Sequence, residues 1–82
     1  MHEYTLIKDM LTVIEAVRRE HESRPVKKIT VELAEFGTMD EEHFIFHFHE
    51  LCRWTDLENL KIDFKKVPTG VDARLVDVTL GG

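Results

Sequence analysis

The sequence predicts an α/β two-layer sandwich, in which both helices pack on one face of a three-stranded mixed sheet. Two segments carry apolar residues at helical spacing, and three others alternate apolar with polar residues. Their order along the chain is α-β-α-β-β. Because a chain of 82 residues is too short to bury both faces of the sheet, we expect one domain, residues 1–82, with one face uncovered.

Composition narrows the classes of function. Hydrophobic residues make up 43% of the chain, enough for one modest core, and the net charge of −5 argues against a nucleic-acid or anionic-membrane binder. No apolar run approaches the roughly 20 residues of a membrane span, and no signal-peptide pattern is present. Cys52 is the only cysteine, so we expect no internal disulfide and no zinc site of the CxxC type. These features predict a cytoplasmic protein.

The first helix is predicted over residues 5–21. The residues that fall on one stripe at helical spacing are Leu6, Met10, Val13 and Val17, and Ile7 and Ile14 widen this stripe. Polar residues occupy the opposite side. This pattern indicates an amphipathic helix with one face in the core.

The second helix is predicted over residues 40–55, because the apolar residues of "HFIFHFHELCRWT" form one stripe, with Trp54 on one edge, and the segment is long for a strand. Its start has two candidate N-caps. Thr38 with Glu41 three positions later has the form of a capping box, and Asp40 competes with it.

The three strands are predicted in "VKKITVELAEF", "NLKIDFKKV" and "VDARLVDVTL". The first two are joined through a helix, so they should be parallel. The last two are joined by a short turn at residues 68–70 and are expected to form an antiparallel hairpin. In the last strand the alternation slips between Leu75 and Val76, which predicts a β-bulge.

The N-terminus carries a candidate metal site. The amine of Met1, the backbone nitrogen of His2 and its imidazole can close adjoining chelate rings on one ion, a nitrogen-rich setting that nickel(II) and copper(II) favour. The backbone nitrogen of Glu3, or a carboxylate, can supply a fourth donor. The alternative is a flexible terminus without a function, since any Met-His start has this spacing.

The second helix carries a weaker metal pattern. His43 and His47 are one turn apart with Glu50 on the same flank, and histidines at this spacing can hold zinc or copper. A solvated helix flank that takes up metal only adventitiously is the alternative.

Phe46 projects from the polar side of the same helix. A single exposed aromatic residue has no necessary role, but Phe46 is also a candidate anchor for a partner or for a homodimer. The sequence shows no catalytic pair of a nucleophile and a general base. Cys52 falls on the apolar edge of the helix, where we expect a buried thiol. The sequence therefore predicts a protein that is not an enzyme.

Several segments together resemble the HypA/HybF family of hydrogenase nickel-incorporation proteins. "MHEYTLIKDMLTVIE" is similar to the Met-His-Glu start and first helix of that family. "KKITVELAEFGTMDEEHFIFHF" resembles its next strand, loop and helix, and "LKIDFKKVP" resembles its following strand. The resemblance covers residues 1–68.

The resemblance implies a nickel-binding domain that acts in maturation of a nickel enzyme, in particular [NiFe] hydrogenase. It implies that His2 holds nickel(II) with the backbone nitrogens of His2 and Glu3, and that Asp40 of "GTMDEE" lies near the metal. The implied partners are a maturation GTPase and the hydrogenase large subunit.

One part of the family pattern is missing. Family members carry a zinc ribbon with paired CxxC motifs between the last two strands, where this chain has the short turn at residues 68–70. A relative that kept the scaffold as a non-metal interaction module, docking through Phe46, is therefore the alternative function. The Gly81-Gly82 end is also similar to the tails of ubiquitin-like sulfur carriers, but those folds begin with a β-hairpin.

Overall fold

The computed structural model describes residues 3–37, 39–70 and 73–81. It confirms the predicted two-layer class and the order α-β-α-β-β. The elements are α1 (Glu3–Glu20), β1 (Val26–Ala34), α2 (Glu41–Leu51), β2 (Lys61–Val67) and β3 (Ala73–Leu80). No helix in the described ranges is both long enough and apolar enough to cross a membrane.

The first strand lies in the middle of the sheet, whose order is β2-β1-β3. It pairs with β2 in parallel, with Ile29 opposite Ile62 and Val31 opposite Phe64, as predicted for strands joined through a helix. It pairs with β3 in the antiparallel direction. Both ladders of the sheet therefore use β1.

The predicted hairpin between the last two strands is wrong. β2 and β3 run in opposite directions but lie on either side of β1, about two strand spacings or 10 Å apart. The chain leaves β2 at Val67, whose carbonyl accepts a hydrogen bond from the Glu35 amide at 2.7 Å, and re-enters the sheet at Ala73 opposite Leu33. Six Cα–Cα steps separate Val67 from Ala73, which is long enough to span this gap.

The predicted bulge in β3 is confirmed. Thr30 of β1 faces Asp77, whereas the next residue, Val31, faces Leu75. Val76 is the extra residue on β3, and its side chain is 37% exposed. A bulge on an edge strand interrupts the row of unpaired backbone groups that could otherwise pair with another chain.

The core lies between the two helices and one face of the sheet. Ile29, Val31 and Leu33 alternate along β1 and are fully buried. They pack with buried residues of α1, α2 and the segments around them: Ile7, Met10, Ile14, Met39, Phe44, Phe48, Cys52, Leu57, Leu60 and Ala73. Of the predicted stripe of α1, Ile7, Met10 and Ile14 are buried, whereas Val13 is half exposed, so the buried face is centred on the two isoleucines that widen the stripe.

The other face of the sheet is polar. Lys28 and Asp63 form an ion pair at 3.2 Å across β1 and β2, and Arg74 and Glu32 form another at 3.2 Å across β3 and β1. Paired charges of opposite sign stabilise a solvated sheet face modestly, by a few tenths of a kcal/mol to about 1 kcal/mol per pair. These charged side chains pair with one another and face solvent, so this side of the sheet does not need to be covered by another layer.

The second helix ends a turn earlier than predicted, at Leu51 rather than at residue 55. The Thr55 hydroxyl donates a hydrogen bond to the Cys52 carbonyl at 2.6 Å and accepts one from the Leu57 amide at 3.1 Å. Such local bonds compete with continuation of a helix. Trp54, predicted on the edge of the apolar stripe, is instead 88% exposed, and its φ of 70° lies in the left-handed region.

This turn changes which residues enter the core. Because the chain reverses after Cys52, Leu57 and Leu60 are buried, at 4% and 7% exposed, although they lie beyond the predicted helix. Arg18 of α1 holds the turn, donating to Asp56 at 2.7 Å, while its other guanidinium nitrogen donates to Glu15 at 3.1 Å. Asp56 and Glu15 raise the pKa of Arg18, with the hydrogen bond to Asp56 as the largest cause.

Replacement of Trp54 tests the left-handed turn. A left-handed backbone costs a non-glycine residue about 1–2 kcal/mol, part of which is offset by the greater freedom of glycine in the unfolded chain. We expect Trp54→Gly to have a higher free energy of unfolding than Trp54→Ala, by about 0.5–1 kcal/mol, in urea denaturation. Both variants remove the same exposed side chain, so an alanine variant as stable as the glycine variant would contradict a strained turn.

Candidate metal centre

The N-terminal end of α1 lies against α2. Met1 and His2 are outside the described residues, as is the side chain of Glu3, the first residue of the helix. Tyr4 packs edge-on against His47 of α2, with ring centroids 5.1 Å apart and planes at 65°. The candidate ligands at the N-terminus are therefore attached to a helix whose first turn contacts α2.

Asp40, the fourth candidate site residue, is the N-cap of α2. One of its carboxylate oxygens accepts a hydrogen bond from the His43 amide at 2.8 Å. The same oxygen lies 3.2 Å from Nδ1 of His43. Of the two predicted roles of Asp40, the cap is confirmed and the position near a metal remains a prediction. Thr38, the competing cap, is outside the described residues, and the helix begins after Asp40.

The environment of Asp40 keeps its carboxylate ionised. Its pKa is lowered, chiefly by the hydrogen bond from the His43 amide and further by the charges of His43 and Lys66, while partial desolvation opposes this shift. Hydrogen bonds to the charged form of an acid favour that form. The exposed carboxylate is thus available to a cation at neutral pH.

His43, His47 and Glu50 are not assembled as a set of metal ligands. Within residues 3–37, 39–70 and 73–81, no group of three or more His, Cys, Asp or Glu side chains is arranged to hold a metal ion. Glu50 forms an ion pair with Arg53, and His43 lies beside Asp40. The Nδ1 atom of His47 is buried. The described flank of α2 therefore matches the alternative of a polar helix surface.

Two aromatic residues flank His47. Phe46 is 59% exposed, as predicted from its place on the polar side, and its ring lies 5.4 Å from the His47 ring at 74°. Tyr4 contacts the same imidazole and is 50% exposed. The contact of Tyr4 could not be predicted from the sequence, because no periodic signal within one helix reports a contact between two helices. The use of Phe46 as a partner anchor remains a prediction.

Cys52 is buried, as predicted, with 2% of its surface exposed. Burial is the largest cause that raises the pKa of its thiol to about 11, and the negative charge of Asp56 adds to this shift. A thiol with so high a pKa is protonated at neutral pH and is a poor nucleophile and a poor metal ligand. Cys52 therefore does not contribute to the candidate centre.

Two substitutions separate the roles of Asp40. Asparagine is as good an N-cap as aspartate but carries no charge, whereas alanine cannot cap. We expect Asp40→Ala to unfold at a clearly lower urea concentration than the native chain and Asp40→Asn at nearly the native concentration at neutral pH. If the two variants lost equal stability, the stabilising effect of Asp40 would not come mainly from its hydrogen bond as the N-cap.

The same carboxylate predicts a pH dependence of stability. Its pKa in the folded chain is below the ordinary value of 3.8, so the unfolded chain takes up its proton first as the pH falls. The stability that the charged form adds is fully present above the ordinary value and is lost as the pH falls through the folded value. Urea unfolding between pH 7 and pH 3 should show the native chain, nearly as stable as Asp40→Asn at neutral pH, losing stability relative to that variant on the acid side, because asparagine does not titrate.

Comparison with known proteins finds one matching family and solved structures with the same fold. The family model described as hydrogenase/urease nickel incorporation, metallochaperone, hypA matches residues 1–74. The solution structure of the Ni metallochaperone HypA from Helicobacter pylori superimposes with a TM-score of 0.77 at 13% sequence identity, over 98% of this chain and 97% of that chain. A second solution structure, of a HypA protein, gives a TM-score of 0.77 at 15% identity, over 98% of this chain and 96% of that chain.

No curated protein matches the chain. The two solved structures share so little sequence that they support the fold alone. The family model matches most of the chain, including its start at residue 1 and the strands on both sides of α2. The chain therefore belongs to the HypA family of hydrogenase and urease nickel-incorporation metallochaperones.

Proposed function

We propose that this chain binds nickel(II) through its N-terminus and supplies the ion for maturation of a nickel enzyme, [NiFe] hydrogenase in particular. The observation that carries the proposal is the match to a nickel-incorporation family from residue 1, at a chain start that has a chelating sequence. The ligands are the Met1 amine, the backbone nitrogen and imidazole of His2, and the backbone nitrogen of Glu3. Asp40 lies near the ion.

The chemistry of these donors suits nickel. The Met1 amine and the two nitrogens of His2 can close adjoining chelate rings on one ion. Nickel(II) and copper(II) favour such a nitrogen-rich, square-planar setting and can displace amide protons to reach it. Glu3 is the first residue of α1, and the first four amides of a helix have no acceptor within it. The Glu3 nitrogen can therefore bind a metal without breaking a helical hydrogen bond.

A cargo ion must also be released. A site made from a chain terminus is open to solvent on one side, so a receiving protein can approach the ion without unfolding the domain. The ionised carboxylate of Asp40 would favour a cation beside it electrostatically, and exposure to solvent keeps this attraction weak. Such a site holds nickel without enclosing it.

The proposal extends to the setting in which the chain acts. Residues 1–82 form one cytoplasmic domain that has no catalytic activity and holds no zinc. Its partners are a maturation GTPase and the hydrogenase large subunit, which would receive the nickel directly or in sequence. Nucleic acids and membranes are not among its partners, and a homodimer is an open alternative.

A non-metal interaction module is the second candidate function, and the exposure of Phe46 favours it, since 59% of this aromatic side chain faces solvent. Under this alternative, Phe46→Ala loses a complex with a maturation protein while His2→Ala retains it. Pull-down of the two variants by a maturation GTPase separates the two candidates. Under the nickel hypothesis, His2→Ala loses the transfer of nickel and Phe46→Ala retains it.

A nickel titration of the chain with a native, untagged N-terminus tests the proposal. We expect roughly one equivalent of nickel(II) to bind, with the yellow absorption band of a square-planar complex. His2→Ala removes the imidazole, and a glycine fused ahead of Met1 displaces the amine, so each should abolish the band. His49→Ala removes a histidine of α2 and should leave it unchanged. Native binding by His2→Ala would show that the terminus is not the site.

A further inference from the structure

The two edges of the sheet differ in regularity. The ladder between β1 and β3 contains two register shifts, one of them at the bulge of Val76. On the other side, β2 pairs with β1 without a shift from Lys61 to Val67. A regular edge strand presents an ordered row of amides and carbonyls to which a further strand can pair, whereas a bulge interrupts that row. The edge at β2 is therefore the one suited to pairing.

One hydrogen bond assigns the backbone groups of β2 that face outward. The carbonyl of Val67 accepts from the Glu35 amide at 2.7 Å, so the backbone groups of Val67 face β1. Successive residues of a strand direct these groups to alternate sides. The amides and carbonyls of Ile62, Phe64 and Lys66 therefore face away from β1. In the part of the chain that the structure describes, no strand lies beyond β2.

This edge is basic in an acidic chain. The seven residues of β2 include three lysines and one aspartate, a net charge of +2, whereas the whole chain has a net charge of −5. The aspartate, Asp63, forms an ion pair with Lys28 of β1 at 3.2 Å. The three lysines, Lys61, Lys65 and Lys66, are exposed. The edge therefore attracts a segment of negative charge.

The two sides of β2 differ in chemistry. Lys61 and Lys65 lie on the polar face of the sheet, because their partners on β1 are the residues that form the ion pairs of that face. Ile62 and Phe64 lie on the helix side and remain partly exposed, and the Phe64 ring meets that of Phe44 edge-on at 5.6 Å. A strand added at this edge would have lysines beside one of its faces and apolar side chains beside the other.

We propose that the outer edge of β2 is a docking site for an extended segment of another protein, in which acidic residues alternate with apolar ones and which adds to the sheet as a fourth strand. The acidic residues lie beside Lys61 and Lys65, and the apolar residues lie beside Ile62 and Phe64. Such docking needs no bound nickel and is separate from the proposed function.

The same lysines disfavour a second copy of this chain as the occupant. Two β2 strands paired edge to edge would bring lysines together across the ladder, and like charges opposite each other are destabilising. β3 of a second copy carries the bulge at Val76, which interrupts the backbone groups that pairing requires. Lysines on an edge strand hinder self-association in this way, and the same charges favour an acidic partner.

The experiment titrates the metal-free chain with a synthetic peptide of alternating glutamate and valine, about eight residues long. We expect saturable binding that weakens as salt is added. Lys61→Glu should weaken it about 3- to 10-fold, because an attraction between charges across the strand pair becomes a repulsion. Lys8→Glu makes the same change on the exposed surface of α1 and should stay within about twofold of the native chain. Equal effects of the two variants would overturn the inference, since only the overall charge would then matter.

A charge-swapped pair separates lost binding from lost folding. The variant in which Lys61 and Lys65 are both replaced by glutamate should bind a peptide of alternating lysine and valine about 10-fold more tightly than the native chain does. An unfolded variant would gain nothing. If the lysine peptide binds the two chains equally, these residues do not select the partner, and the inference is overturned.

Amide hydrogen exchange tests whether the peptide adds as a strand. The outward amides of Ile62, Phe64 and Lys66 should exchange more slowly when the glutamate peptide is bound. The amides of Asp63 and Lys65 face β1 and should change little. Unchanged exchange at the three outward amides would overturn the inference, because the peptide would then be held by charge alone.

Two further measurements examine the pairing itself. A peptide of the same length and charge with two adjacent prolines at its centre cannot complete the ladder and should not bind. Binding of this peptide as tight as that of the glutamate–valine peptide would contradict strand addition. Light scattering of the native chain alone should show a monomer. A dimer that protects the outward amides of β2 without peptide would overturn the inference and make a second copy the occupant.

Discussion

Burial of one face of β1 is the interaction on which the rest of this structure depends. Ile29, Val31 and Leu33 are fully buried beneath both helices, and the same strand supplies one partner of each backbone ladder. Burying three such side chains contributes roughly 5–9 kcal/mol, which is comparable with the net stability of a small domain. Since α1 and α2 are both fitted to this surface, β1 also determines that the start of α1 meets α2. The position of the candidate metal centre relative to α2 therefore depends on the packing of the core.

Much of the fold could be predicted from the sequence because its signals are local. The periodicity of each segment, the parallel pair joined by α2, the slip at Val76 and the cap at Asp40 each depend on residues close together in the chain. The strand order could not be predicted in this way, because a short turn favours pairing of its two neighbours whereas β1 offers β3 a longer-range partner. The end of α2 was missed because the Thr55 side chain competes with the helix for backbone groups, which an apolar stripe does not report.

The candidate site likewise has a part that could be predicted from the sequence and a part that could not. Its proposed ligands are adjacent in the sequence, so a chelating start and a family resemblance were sufficient to suggest Met1, His2 and Glu3. Contacts between helices cannot be predicted in this way: Tyr4 and His47 are 43 positions apart in the chain and meet because two helices share one sheet face. The two roles of Asp40 differ in this respect. Its role as N-cap could be predicted from neighbouring residues, whereas a role near a metal depends on where the N-terminus lies. Family membership adds a class of process, the incorporation of nickel into hydrogenase or urease.

The connection between Val67 and Ala73 joins two strands that lie on either side of β1. The length of a loop whose ends are held in place affects stability only slowly, by about 0.6 kcal/mol for each doubling. The domain can consequently gain or lose a module at this point while its sheet register stays the same, provided that the ends of the module remain about 10 Å apart. Evolution could thus exchange an accessory module at this connection while the core of the domain stays the same, and an engineer could graft a reporter there.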